Sequence, residues 1–195
     1  MQVGARRRAA LAAAALLVAG CGTDSSAGRP TSSVAVTVAP PGTSATNVDP
    51  ALQGQLEAAN IRYWGVYDSV YNDPRQNLAV IDTVAAGEEA ASLRDQAAQV
   101  LEQGLIGTGS IKVVRLTVTS VTPAPVEGGP TTVMVKSCND VSGTTATTPD
   151  GKSVIDPNRL PQTKAILTFQ DTTPNDPAGW RVIKGLAGPT IPCDG

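Results

Sequence analysis

The sequence predicts an α+β domain, with three N-terminal helices packed on one face of a curved, mostly antiparallel sheet of four or more strands. Two changes of rhythm carry this. Apolar residues recur at steps of three and four from Leu52 to Leu101, and from Ser110 onward the period drops to two. Length is the third observation: about 145 residues remain once an export signal and a linker are set aside, enough for one compact domain. Helices first and strands afterwards favour segregated layers over a βαβ alternation.

The first helix starts at Asp49-Pro50, where the Asp side chain accepts backbone N–H bonds and proline pre-sets φ. Leu52, Leu56, Ala59, Tyr63, Val66, Tyr67, Val70 and Tyr71 form its stripe, up to the break at Asn72-Asp73-Pro74. A second helix is expected from Arg75 to about Ala85, with Leu78, Ile81 and Val84 inward and Gly87 as its stop. The third is expected from Glu88 to Gln103, acidic where the dipole favours acids, with Leu93, Ala97, Val100 and Leu101 inward and Gly104 closing it.

Ile111, Val113, Leu116, Val118 and Val121 then alternate with polar residues, and Val114, out of phase, marks a bulge. Pro123 to Pro130 is a turn, and Thr131 to Val141 a second strand through Val133, Val135 and Cys138. Asp150-Gly151 is a tight reversal between Thr144–Thr148 and Lys152–Ile155. Lys164 to Thr172 and Trp180 to Leu186 supply two more strands.

Ahead of this domain lie Arg6-Arg7-Arg8 and an apolar run from Ala9 to Ala19, too short to span a bilayer. The run ends in Val18-Ala19-Gly20-Cys21, which resembles the lipobox of bacterial lipoproteins; an ordinary secretory signal with Cys21 incidental is the alternative. The resemblance implies cleavage before Cys21 and lipid on its thiol, palmitate included, holding the chain on the extracytoplasmic face of the cell membrane. Residues 1–20 are then signal, 21–48 a lipidated Cys followed by a Ser/Thr/Pro/Gly linker, and 49–195 the domain. The linker has no sustained apolar period and reads as a disordered stalk, with Val34, Val36 and Val38 its one strand-like alternation.

Fifteen Lys and Arg, less the three in the signal, stand against 17 Asp and Glu, a balance of −5. With no basic cluster left, nucleic acid is excluded as a partner. The chain has no histidine, which removes triads and the commonest metal ligand; neither metal nor cofactor is expected. Cys138 and Cys193 remain after lipidation of Cys21, and in an oxidising compartment they are expected to form a disulfide closing a loop of about 55 positions, worth about 4 kcal/mol. It would hold a tail, Pro189 to Pro192, with no other evident attachment; a redox or metal pair is the other reading.

Four of the six aromatic residues, Tyr63, Trp64, Tyr67 and Tyr71, fall within nine positions of the first helix. They either supply bulk to a core of Val, Leu and Ala or line a pocket. Asp68, Asp82 and Asp140 are the nearest acids, and Asp68 is not expected to share a face with Tyr67.

Three N-terminal helices, a strongly curved sheet, Cys138-Asn139-Asp140 on the second strand and Gly179-Trp180-Arg181-Val182 near the end resemble the NTF2-like (cystatin-superfamily cone) domains of actinobacterial lipoproteins and Mce-associated proteins. The resemblance implies a pocket between helices and sheet, and dimers through the sheet in many members. Some members are enzymes, such as ketosteroid isomerase and scytalone dehydratase; the latter type needs a histidine this chain lacks. No catalytic residue is carried over. The expected function is a non-catalytic, lipid-anchored module of the cell envelope, binding an apolar ligand or an envelope protein, with a homodimer allowed. Two alternatives stand beside it: a small isomerase or dehydratase, and a prophage-encoded lipoprotein that excludes superinfecting phage.

Overall fold

In the computed structural model the described residues are 43–44, 48–124, 126–174 and 176–193. The signal, Cys21 and nearly all of the expected linker lie outside them. Strand β1 (Thr43–Ser44) comes first, then helix α1 (Pro50–Asn72), a 3-10 helix (Leu78–Thr83) and helix α2 (Gly87–Glu102). Strands β2 (Ile106–Thr108), β3 (Lys112–Thr122), β4 (Thr132–Asp140), β5 (Thr145–Thr147), β6 (Gln162–Asp171) and β7 (Trp180–Pro192) follow. Five strands form one antiparallel sheet in the order β1-β3-β4-β6-β7, and β2 pairs with β5 in a separate ribbon.

The expected architecture is corrected on three counts. The sheet does not follow the helices as a block, because β1 precedes α1 and pairs with β3 at Thr43↔Val121 and Ser44↔Ser120. Two α-helices stand where three were expected. Leu78, Ile81 and Val84 recur at strict threes, the period of a 3-10 helix, and the segment adopts that form with the Asn77 side chain capping Ala79 N–H. Gly87 opens α2 instead of closing the helix before it. The third count is the β2–β5 ribbon, which makes two sheets where one curved cone was expected.

Elsewhere local chemistry and structure agree. Asp49 accepts from Ala51 N–H at 3.0 Å and Pro50 begins α1. Pairing of β3 with β4 slips between Val113 and Arg115, placing Val114 at a bulge with its side chain exposed. Strand β4 alternates as its pattern requires, Val133 and Val135 inward, Met134 and Lys136 outward.

The core lies between the helices and one sheet face. Leu56 and Ala59 of α1, Ile81, and Ala90, Leu93 and Ala97 of α2 meet Leu116, Val118, Val133, Val135, Leu167, Phe169 and Val182 of the strands. Phe169 at its centre is fully buried, and about 25 cal/mol per Å² of apolar surface removed from water is the force that holds the layers. Leu101, expected inward, is exposed, while Val100, also expected inward, is buried.

Cys138 and Cys193 are disulfide-bonded with Cα atoms 5.5 Å apart. The tail is also held by the backbone, since β7 runs on to Pro192, which pairs with Thr163. The bridge therefore locks the last turn of a strand instead of tethering a loose end.

Candidate functional site

The second half of α1 forms one wall of a cavity of about 440 Å³, within the size range of small-molecule sites. Trp64, Tyr67, Asp68 and Tyr71 line it from the helix, the β2–β5 ribbon faces them, and Asn139 of β4, Thr163 of β6, and Ile155, Asp156 and Arg159 of the β5–β6 connection complete it. Two glycines allow the close approach that shapes the rim. A Cβ on Gly107 would lie 2.8 Å from the Tyr71 carbonyl oxygen, and one on Gly109, whose φ is +87°, 2.0 Å from that of Gly143.

The four aromatics divide. Tyr63 is buried away from the cavity, and its hydroxyl donates to Glu89 Oε1 at 2.5 Å. Glu89 is itself buried, in the first turn of α2, where the helix dipole favours a carboxylate. Burial first, and the Glu89 charge second, push the Tyr63 phenol well above its ordinary range. Trp64 and Tyr67 meet edge to face with ring centres 5.2 Å apart and planes at 65°, and Tyr67 stacks on Tyr71 at 4.9 Å. Burial first, and the neighbouring Tyr71 second, also raise the Tyr67 phenol, whose hydroxyl makes a long contact of 3.5 Å to Gln96.

Asp68 enters the cavity beside Tyr67, contrary to the expectation that the two would not share a face. Side chains one position apart diverge by about 100° around a helix, but the cavity wraps the end of α1 widely enough to take both. Asp68 Oδ2 accepts from Ile111 N–H at 2.8 Å, and Asn72, one turn on, donates to the Gly109 carbonyl at 2.9 Å. Together they hold the approach to β3 against α1. Loss of solvent raises the Asp68 carboxyl to about 6, against the smaller opposing pull of the Ile111 N–H. Among the described residues no lysine or arginine is ion-paired with it.

Arg159, the cation of the cavity wall, is occupied: it donates to Thr144 Oγ1 at 2.8 Å and to the carbonyls of Val141 and Thr144 at 2.9 and 3.1 Å. Behind the aromatics, Asn60 Nδ2 donates to Ser137 Oγ at 2.9 Å, and Ser137 Oγ to Asn139 Oδ1 at 2.7 Å, linking α1 to β4 through buried polar atoms. Asn60 Oδ1 and Trp64 Nε1, one helical turn apart, have no hydrogen-bond partner, each at a cost of about 1–3 kcal/mol. Trp180, by contrast, donates its indole N–H to Gln55 at 3.0 Å.

The other acids stand apart. Asp82 pairs with Arg94 at 2.6 Å on the surface, and Asp140, half-buried, is held low by hydrogen bonds from the Ser142 side chain first and its N–H second. No group of three or more metal-ligating side chains occurs among the described residues, nor a helix long and apolar enough to cross a membrane. Asn139 and Arg159 were not anticipated as cavity residues. Arg159 sits in an ordinary Asp-Pro-Asn-Arg turn that carries no sign of its target.

No protein-family model matches the chain, and no curated protein does. Thirty solved chains match. The intermembrane-space region of the chloroplast protein ARC6 overlaps 72% of this chain and 97% of that one, at 13% identity and a TM-score of 0.50. The shared property is the fold. A periplasmic fragment of TraM covers 69% and 96% at 14% identity and a TM-score of 0.34. A de novo designed β-sheet protein covers 70% and 88% at 14% identity and 0.29.

Proposed function

We propose that this chain is a lipid-anchored, extracytoplasmic binding module whose cavity beside α1 takes a small molecule without transforming it. The observation that carries the reading is the cavity itself: Trp64, Tyr67 and Tyr71 give it an apolar aromatic wall, and a few convergent polar groups sit at its edge. Placement outside the cytoplasm is supported by the Cys138–Cys193 bridge, since such bonds persist in oxidising compartments. The ARC6 region of the same fold is likewise described as a domain between two membranes. Anchoring rests on Val18-Ala19-Gly20-Cys21.

An isomerase-type reading has one observation in its favour, the Asp68 carboxyl at about 6, suited to a general base. It also needs a donor aimed at the developing oxyanion. No cavity hydroxyl is hydrogen-bonded to Asp68, and the Tyr67 hydroxyl points toward Gln96. Binding is therefore the stronger reading.

Two measurements test it. Labelled palmitate is expected to enter the wild-type chain and not Cys21→Ser; equal labelling overturns the anchor. Native mass spectrometry of the full chain in mild detergent is expected to show a non-covalent adduct of ligand size. Bare protein, together with unchanged tryptophan fluorescence across a panel of small aromatic and aliphatic probes, overturns the cavity's role.

A further inference from the structure

We infer that the cavity beside α1 is built for an organic cation, a quaternary or alkylated ammonium group, held between the aromatic wall and the carboxylate of Asp68. This deepens the binding reading and rests on it. The first part of the argument is geometric. Trp64, Tyr67 and Tyr71 line the cavity as one continuous aromatic wall, Trp64 meeting Tyr67 edge to face at 5.2 Å and Tyr67 stacked on Tyr71 at 4.9 Å. Aromatic rings lining a site attract cations through their negative faces, and the attraction grows when the site is shielded from water.

Charge is the second part. Asp68 enters the same cavity, and its hydrogen-bond partner is the Ile111 amide. A half-buried carboxylate with one neutral donor has part of its charge uncompensated, and no cation of the described residues is paired with it. Arg159, across the cavity, is turned toward the carbonyls of Val141 and Thr144, where it clips its loop to the β4–β5 connection. Asp156 adds a second acid to the cavity lining. The two carboxylates of the lining outnumber its one guanidinium, so a cation is favoured over an anion there and would complete Asp68.

A third observation fixes the probe. Trp64 lines the cavity, and its indole N–H, buried without a hydrogen-bond partner, gives a resonance that senses what sits there. Choline carries an ammonium group and a hydroxyl; 3,3-dimethylbutan-1-ol has the same shape and hydroxyl with a neutral carbon in place of nitrogen. Comparing the two isolates the charge.

Isotope-labelled full chain is titrated with each probe by NMR at neutral pH, reading the Trp64 indole N–H and the Ile111 amide. Choline is expected to bind about tenfold more tightly than the alcohol, the ratio that about 1.4 kcal/mol of added attraction produces. Asp68→Asn is expected to bring the two affinities together while the alcohol's stays unchanged. Equal affinities in the wild type overturn the cation inference and leave a neutral pocket standing. If neither probe moves the cavity signals, the pocket reading falls with it. The wild-type comparison decides the matter even if Asp68→Asn folds poorly.

Discussion

One helix carries two kinds of aromatic residue, distinguished by what stands opposite them. At Tyr63 the ring is buried and its hydroxyl is closed by Glu89, so the site is a finished piece of core. One turn on, Tyr67 and Tyr71 stack beside Asp68 on a cavity, with a hydroxyl contact of 3.5 Å and a carboxylate answered by one amide. The residue types and the four-residue spacing are the same at both ends. What differs is the facing element: α2 presents a carboxylate to the first, while the β2–β5 ribbon meets the helix backbone at Gly107 and leaves a cavity beside the rings of the second. An aromatic stripe on a helix thus reports that something large lies opposite, but not whether it is packing or a ligand.

The widest gap between the two ends is expected on truncation. Tyr63→Ala should lower stability by about 3–5 kcal/mol, and Tyr71→Ala, half-exposed at the cavity, by about 1 kcal/mol. Urea unfolding midpoints measure both, and similar losses would erase the distinction.

Removing only the hydroxyls sharpens it. Tyr63→Phe leaves the Glu89 carboxylate buried without its donor and is expected to cost about 1.5–3 kcal/mol. Tyr67→Phe gives up a long contact and should stay within about 0.5 kcal/mol.

The third difference is one of pH. The Asp68 carboxyl sits at about 6 in the fold and starts from 3.8, so the folded state holds its proton more firmly than the unfolded chain. The resulting stabilisation is full below about 3.8 and is lost as pH rises through about 6. Asp68→Asn should remove that decline and leave the protein modestly more stable at neutral pH than the wild type, a common sign of a group kept for function. Tyr67 and Tyr71 from α1, and Asp156 and Arg159 from the facing loop, are the other titratable or charged groups on the cavity. A decline that persists in Asp68→Asn would show that Asp68 is not its source.

How much of this was legible depended on the range of the forces involved. Asp49-Pro50 set the start of α1 because capping and proline geometry act within three residues. Val114 betrayed the bulge because one residue out of phase is visible along a strand. The 3-10 helix was legible in hindsight, since steps of three without fours are its own period, but Leu78, Ile81 and Val84 also fit a short α-helical stripe. The β2–β5 ribbon was half visible: β5 falls in Thr144–Thr148, expected as one arm of the Asp150-Gly151 reversal, but nothing in Ile106–Thr108 announced a partner 37 positions on, as at Thr108↔Thr145. The place of Asp68 was misread because a helical wheel assumes a flat neighbour, and the cavity curves around the helix end.

By itself the sequence determined what acts at short range: the helix cap, the alternation of β4, the absence of histidine chemistry and the two cysteines available for a bridge. Only the tertiary structure decided which tyrosine is core and which is wall, where Arg159 is spent, and that Asp68 has a single amide for company. The physical reason is that burial and electrostatic compensation belong to pairs of distant segments, such as α1 with α2 or α1 with the ribbon, and no local pattern encodes the partner.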